Sequence, residues 1–227
     1  MCFSLHVEKR LNKLSENFEA LSSKSDFAYF SQLKEKAPED YPSPDEEGRI
    51  YPYYWSPVIV REKGHRIIKP MRYRLRPHAS AEEVPNKFNI FNARLDSLEL
   101  RKTWKPLLGT KHCLIPIRGF YEWVATDMGK KQIEFFPPEH DLLAVAGLYD
   151  IWQGKDQFGE EITLHSFAVI TKDPPKEVEE MGHDRCPIVL NRGAWDQWLE
   201  IKADEDPVSF LEDPSHYGEV VFENQYL

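Results

Sequence analysis

Residues 112–124 read His112-Cys113-Leu114-Ile115-Pro116-Ile117-Arg118-Gly119-Phe120-Tyr121-Glu122-Trp123-Val124. The stretch is apolar and aromatic, and it predicts two short strands, 112–117 and 119–124. Alternation places Phe120, Glu122 and Val124 on one face. Glu122 is then either on a wet face or buried with a raised pKa, a setting that suits proton transfer. Further β-like runs lie at 58–61, 66–75, 131–136, 142–149 and 163–171. Leu11, Leu14, Phe18 and Leu21 recur at helical spacing, and helices are also expected at 96–108, 176–181 and 192–201. Residues 38–57, with Pro38, Pro42, Pro44, Pro52 and Pro57, read as loop. Strands in the middle and helices at the edges predict an α+β fold in one domain, residues 2–227.

The chain has 227 residues and a net charge of −9, which argues against a surface that binds nucleic acid all over. No apolar run approaches the ~18–20 residues that span a bilayer. The opening MCFSLHVEKRLNKL turns charged within ten residues and does not read as a signal peptide. Cys2, Cys113 and Cys186 form an odd set without a CxxC pair. That pattern points away from a disulfide framework or a thiolate zinc site and fits a reducing cytoplasm. No cofactor or metal is expected. Charge is unevenly spread: residues 58–78 hold seven Lys/Arg against Glu62, 7 − 1 = +6, which leaves −15 for the rest. In Met71-Arg72-Tyr73-Arg74-Leu75-Arg76 apolar and basic residues alternate. As one strand it would line up three guanidinium groups, either along a phosphate backbone or on a solvated outer sheet face.

Chemistry-bearing residues fall into a few groupings. With Met1 removed, Cys2 carries an amine and a thiol on one residue, both with reactive fractions near neutral pH. A 1,2-aminothiol condenses with an aldehyde to an imine and closes to a thiazolidine. Asn92 and Arg94 sit together in Phe91-Asn92-Ala93-Arg94, ahead of the helix expected at 96–108. Ala146-Gly147-Leu148-Tyr149 reads as a buried strand whose glycine permits close approach. Gly182-His183-Asp184-Arg185-Cys186-Pro187 places an imidazole that titrates near neutrality in a turn.

In this order the groupings resemble the SRAP domain, the family of abasic-site-processing proteins. The matching motifs are Met1-Cys2, Asn92-Ala93-Arg94-Leu95-Asp96, Cys113–Pro116 running into Gly119–Trp123, Ala146–Tyr149, and the His-x-Arg-x-Pro loop from His183. The resemblance implies a mostly antiparallel, barrel-like sheet flanked by helices. It also implies a monomer that binds single-stranded DNA at abasic sites and crosslinks to them through Cys2, with accompanying AP-lyase and autopeptidase activity. By the same likeness Asn92 would bond near Cys2 or the sugar, Glu122 would stabilise the protonated amine or imine, and His183 would act on the sugar oxygen. Arg94 would hold a phosphate, with Arg72, Tyr73, Arg74, Arg76 and Arg185 as further DNA contacts. The sequence departs from the family pattern at Phe3-Ser4, where Gly-Arg is common, and at Tyr73-Arg74, where Trp-Gly is common. Two other classes stay open: a hydrolase with Cys2 as nucleophile, and a non-catalytic single-strand binder.

Overall fold

The computed structural model describes residues 4–127 and 129–227. The expectations placed on Met1, Cys2 and Phe3 lie outside the described residues. Along the chain run the strands β1 (Ser4–Val7), β2 (Leu21–Ser22), β3 (Arg49–Ile50), β4 (Trp55–Glu62), β5 (His65–Tyr73), β6 (Asn92–Arg94), β7 (His112–Thr126), β8 (Gly129–Phe136), β9 (Leu143–Lys155), β10 (Glu161–Lys172), β11 (Cys186–Pro187), β12 (Val189–Leu190) and β13 (Glu223–Tyr226). The helices are α1 (Leu11–Phe18), α2 (Lys24–Lys36), α3 (Lys176–Glu179), α4 (Trp195–Glu200) and α5 (Pro207–Glu212).

Five strands close on themselves. β7 pairs with β9, β9 with β10, β10 in parallel with β5, β5 with β4, and β4 returns to β7 through Ile59 opposite Leu114. Closure removes open edges and gives the strands an inside and an outside. Inside, Met71, Tyr73, Cys113, Ile115, Ile117, Val145 and Phe167 form one buried cluster. Outside, Leu114, Ala144, Ala146, Leu148 and Trp198 belong to a second cluster, in which small alanines let the helices approach. Each fully buried Leu, Ile or Phe contributes about 1.5–3 kcal/mol. Gly147 lies opposite Cys113, inside the barrel. A Cβ there would come within 2.5 Å of Ile115 Cδ1 and 2.9 Å of the Ala168 carbonyl oxygen. Close approach, the expectation from its sequence, is what this glycine permits.

The two runs expected at 112–117 and 119–124 are one strand. The register with β1 shifts between His6 and Val7, which pair with Gly119 and Ile117. Arg118 is therefore the extra residue of a bulge, and it changes which residues face inward. Ile117 faces in before it; Phe120 and Val124 face in after it. The Arg118 guanidinium is anchored on the buried carboxylate of Glu8.

Three expectations give way. Residues 96–108 form only short 3-10 turns at Leu95–Ser97 and Lys105–Leu107; Pro106, which has no N–H to donate, sits in the first positions of the second turn and keeps a longer helical ladder from running into it. Leu21 leaves α1 and pairs in β2. The basic strip is not one strand: β5 ends at Tyr73, and Arg74 has φ +99°. Cations of the 58–78 stretch pair mostly with acids outside it: Arg61 and Arg66 with Asp196, Lys69 with Asp26 and with Glu62 of the same stretch, and Arg72, Arg74 and Arg76 with Glu83. Most cations of this positive stretch have become members of ion pairs.

Candidate active site

Glu122 reaches the barrel interior because the Arg118 bulge turns it inward; only 4% of the residue is exposed. His183 arrives from the loop after α3, where Gly182 takes φ +85°, a conformation glycine adopts without strain. Pairing of Cys186 and Pro187 with Lys172 and Thr171 fixes the far side of that loop. His183 Nδ1 stands 3.6 Å from Glu122 Oε2. The imidazole ring meets Phe135 edge-on at 6.0 Å. Its Nε2 is buried with no hydrogen-bond partner among the described residues. Burial lowers the His183 pKa, so the ring is neutral near pH 7 and can take up a proton.

Asn92 is buried on β6, which lies parallel to β10 with Asn92 opposite Val169. Asn89 Oδ1 accepts the backbone N–H groups of Phe91 and Asn92, at 3.2 and 3.1 Å. The Tyr73 hydroxyl donates to Asn92 Oδ1 at 3.4 Å. Tyr73 itself is fully buried and stacks on Phe167 at 5.2 Å. It therefore has no face to offer a base, and its place is to orient Asn92. The structure thus brings Glu122 and His183 together directly, and Asn92 backs onto the same interior cluster through Tyr73.

Of the expected DNA contacts, Arg94 is exposed and paired with Asp96 at 2.6 Å, while Arg185 bridges Asp173 and Asp96. A cavity of about 380 Å³ opens beside Asn92 and Arg94, walled in part by Phe88, Asn89, Trp104 and Thr171. Arg72 and Arg74 do not form an outward strip: both are buried against Glu83. Arg76, with 15% of its side chain exposed, faces the same carboxylate. A larger cavity, about 620 Å³, lies under α2 around Trp55, Pro70 and His165, away from Glu122 and His183.

Two residues near the site were missed in the sequence. Arg49 donates from Nε to Ser4 Oγ at 2.8 Å and lies 4.0 Å above the Tyr121 ring, with no carboxylate at ion-pair distance among the described residues. It sits in the segment read as loop, where only the flanking Tyr51 hinted at a platform. Trp123, next to Glu122, is 54% exposed on the outer face. Strand alternation from Glu122 gives that signal directly. Cys113 and Cys186 are free but buried, and burial pushes both thiols up, so neither is a ready nucleophile. Among the described residues no cluster of His, Cys, Asp and Glu is arranged to hold a metal, and no helix is long and apolar enough to cross a membrane.

The fold is shared with X-ray structures of a protein from Bacteroides thetaiotaomicron (TM-score 0.72, 19% identity, covering 100% of this chain and 92% of that one) and a protein from Bordetella bronchiseptica (TM-score 0.70, 18% identity, covering 100% and 99%). Curated relatives include an abasic site processing protein of Saccharomyces cerevisiae, 33% identical over 60% of this chain and 36% of its own length. The abasic site processing protein YobE of Bacillus subtilis is 29% identical over 64% of each chain. Abasic site processing protein HMCES of Gallus gallus is 28% identical over 68% of this chain and 55% of its own length. The chain thus matches less than two thirds of the length of each of these relatives. The family model for SRAP, SOS response associated peptidase, matches residues 1–221, and the chain belongs to that family.

Proposed function

We propose that this protein processes abasic sites in single-stranded DNA and that Cys2, exposed by removal of Met1, bonds covalently to the opened sugar. One observation carries the reading: Ser4 pairs with Tyr121, the neighbour of Glu122. Cys2 lies two residues before Ser4, and two residues of chain reach about 7 Å at most. A chain of that length is short enough for the reading to hold, and this supports Cys2 as the partner of the Glu122–His183 pair.

The chemistry balances without a cofactor. The Cys2 amine adds to the C1′ aldehyde, and loss of one water leaves a protonated imine. The Cys2 thiolate then adds to the imine carbon, the nitrogen keeps its proton, and a thiazolidine results with net loss of one water. Glu122 stabilises the cationic imine. Neutral His183 takes the proton of the C1′ hydroxyl in ring opening and delivers it to the ring oxygen O4′, which leaves as the C4′ hydroxyl; the thiol proton of Cys2 accompanies the hydroxyl lost as water. While the imine persists, the C2′ proton is acidified, and β-elimination becomes a slow side path. Arg94, Arg185 and Arg49 are the guanidinium groups placed to hold flanking phosphates, and Trp123 offers a face for a base. The three curated relatives described above are abasic site processing proteins, which supports this substrate.

Cys2→Ser provides the test, because it keeps the amine and removes the thiol. With an abasic oligonucleotide it is expected to form an adduct only when borohydride reduces the imine. A borohydride-independent adduct in this variant would remove the thiazolidine from the mechanism.

A further inference from the structure

Three buried hydrogen-bond donors without a partner among the described residues belong to side chains that line one cavity: Trp55 Nε1, Arg72 Nε and Arg76 Nε. Its volume is about 410 Å³, and it lies between α2, the β9–β10 hairpin and the outer face of β5. Arg72 alternates on β5 with Met71 and Tyr73, which point into the barrel, so the cavity and the Tyr73–Asn92 contact are on opposite faces of this strand. Buried donors left unpaired are costly, and a group of them around one space calls for an acceptor.

The wall is unusual in charge as well. Arg76 lies 3.4 Å from the centre of the Trp152 ring, comes no nearer than 3.6 Å to Glu83, and its guanidinium makes no hydrogen bond to a described residue. Arg72 holds both Glu83 oxygens at 3.0 Å, and Arg74 donates to Glu83 at 2.8 Å and to the Val84 carbonyl at 2.7 Å. Of these, Arg72 and Arg76 line the space and Arg74 does not, so two guanidinium groups against the Glu83 carboxylate leave 2 − 1 = +1 at the wall. Burial lowers the pKa of Arg74 and Arg76, so their charge is held where water screens it poorly.

The acids lining the space are Glu39, Asp40 and Asp156. Glu39 and Asp40 are exposed on the rim. Asp40 accepts from the Gln157 amide, and Asp156 accepts the N–H groups of Phe158 and Glu160. Lys36, also on the rim, is closed on Glu160. The buried wall is therefore donor-rich and carries two guanidinium groups, while the acids are at the rim, where Asp40 and Asp156 are already engaged.

The geometry points to an oxyanion site in this cavity that takes a phosphate group, free or at the end of a nucleic-acid strand, separately from the Glu122–His183 pair. Planar guanidinium forks suit a tetrahedral oxyanion, and unpaired donors on three separate side chains match the several oxygens of a phosphate better than the two of a carboxylate. Trp55 Nε1 and Arg76 supply donors, and the Trp152 ring backs the Arg76 guanidinium.

The full chain is titrated calorimetrically with inorganic phosphate in phosphate-free buffer at constant ionic strength. Oligothymidylates with a 5′-phosphate or a 5′-hydroxyl are then used as competitors. Saturable phosphate binding, weakened roughly tenfold or more in Arg76→Gln, is expected, as loss of a charge-assisted bond implies. Competition by the 5′-phosphorylated strand alone assigns a strand end; no competition by either assigns free phosphate. Trp55→Phe keeps the ring and loses only the donor, so it reads the site even if Arg76→Gln fails to fold, and it too must weaken binding. No saturable binding to the wild-type chain, or equal binding in the variants that fold, overturns the proposal.

Discussion

Two buried polar clusters lie on opposite sides of β5, and they are built from different chemistry. On the barrel side, Tyr73 orients Asn92, and Glu122 and His183 stand 3.6 Å apart among Phe120 and Phe135. On the outer side, Arg72 and Arg74 close on Glu83 with hydrogen bonds of 2.8–3.0 Å. The first cluster sets a carboxylate beside an imidazole whose pKa burial lowers, and His183 Nε2 has no hydrogen-bond partner among the described residues. The second holds permanent charges, and Arg74 also ties down the carbonyls of Val84 and Pro85, on the segment leading to Asn89 and Asn92. Proton-transfer chemistry is expected of the first cluster and mechanical anchoring of the second.

The largest expected effect separates them by rate. Replacing Glu122 by Gln, or His183 by Ala, should slow crosslinking of an abasic oligonucleotide by about 10²-fold or more, the range of general acid–base catalysis. Binding to the oligonucleotide should change little. Wild-type rates in both variants would take these residues out of the mechanism.

A second histidine sharpens the contrast. His112 is stacked on Trp198 at 3.9 Å, its Nδ1 bonds the Trp198 carbonyl at 2.8 Å, and its Nε2 accepts from the Gly109 N–H at 2.9 Å. Burial takes its pKa from 6.5 down to about 4. Its folded pKa lies below its unfolded one, so the stability it contributes is intact above pH 6.5 and lost as pH falls towards 4. The loss is at most about 3 kcal/mol, from 1.36 kcal/mol per pH unit. Thermal melts of the wild type and of His112→Asn across that window should differ in slope; parallel curves would contradict the assignment.

The smallest effect tests the anchor. Glu83→Gln leaves Arg72 and Arg74 buried without their carboxylate. Because Glu83 is one third exposed, the cost should be about 2 kcal/mol, below the full range for a broken buried pair, or about 4–8 °C in melting temperature. Crosslinking at low temperature should survive. If crosslinking fails while the fold melts normally, the second cluster takes part in the chemistry and the contrast collapses.

Much of the barrel is legible in the sequence, because strands such as 163–171 carry β-branched residues with the inside–outside alternation that closure demands. The join at Arg118 is not, since a bulge is one residue of register that only the partner strand β1 reveals. Helix α2 escapes notice because Leu33 is its one fully buried residue. Its start is nonetheless marked by Ser23, which accepts from the Asp26 N–H. The candidate site is readable residue by residue at Asn92, Glu122 and His183, whereas its proximity relations are not. The basic strip misleads for a related reason: its counter-charges, Asp196, Asp26 and Glu83, come from α4, α2 and a loop, and local sequence cannot pair them.

The most direct measurement is the intact mass of the wild-type chain and of Cys2→Ala, before and after incubation with a single-stranded oligonucleotide bearing one abasic site. The account predicts a wild-type chain lacking Met1 that gains the oligonucleotide mass less one water, and a Cys2→Ala chain that gains no such stable adduct. A wild-type chain that retains Met1, or an equal stable adduct on Cys2→Ala, would contradict it.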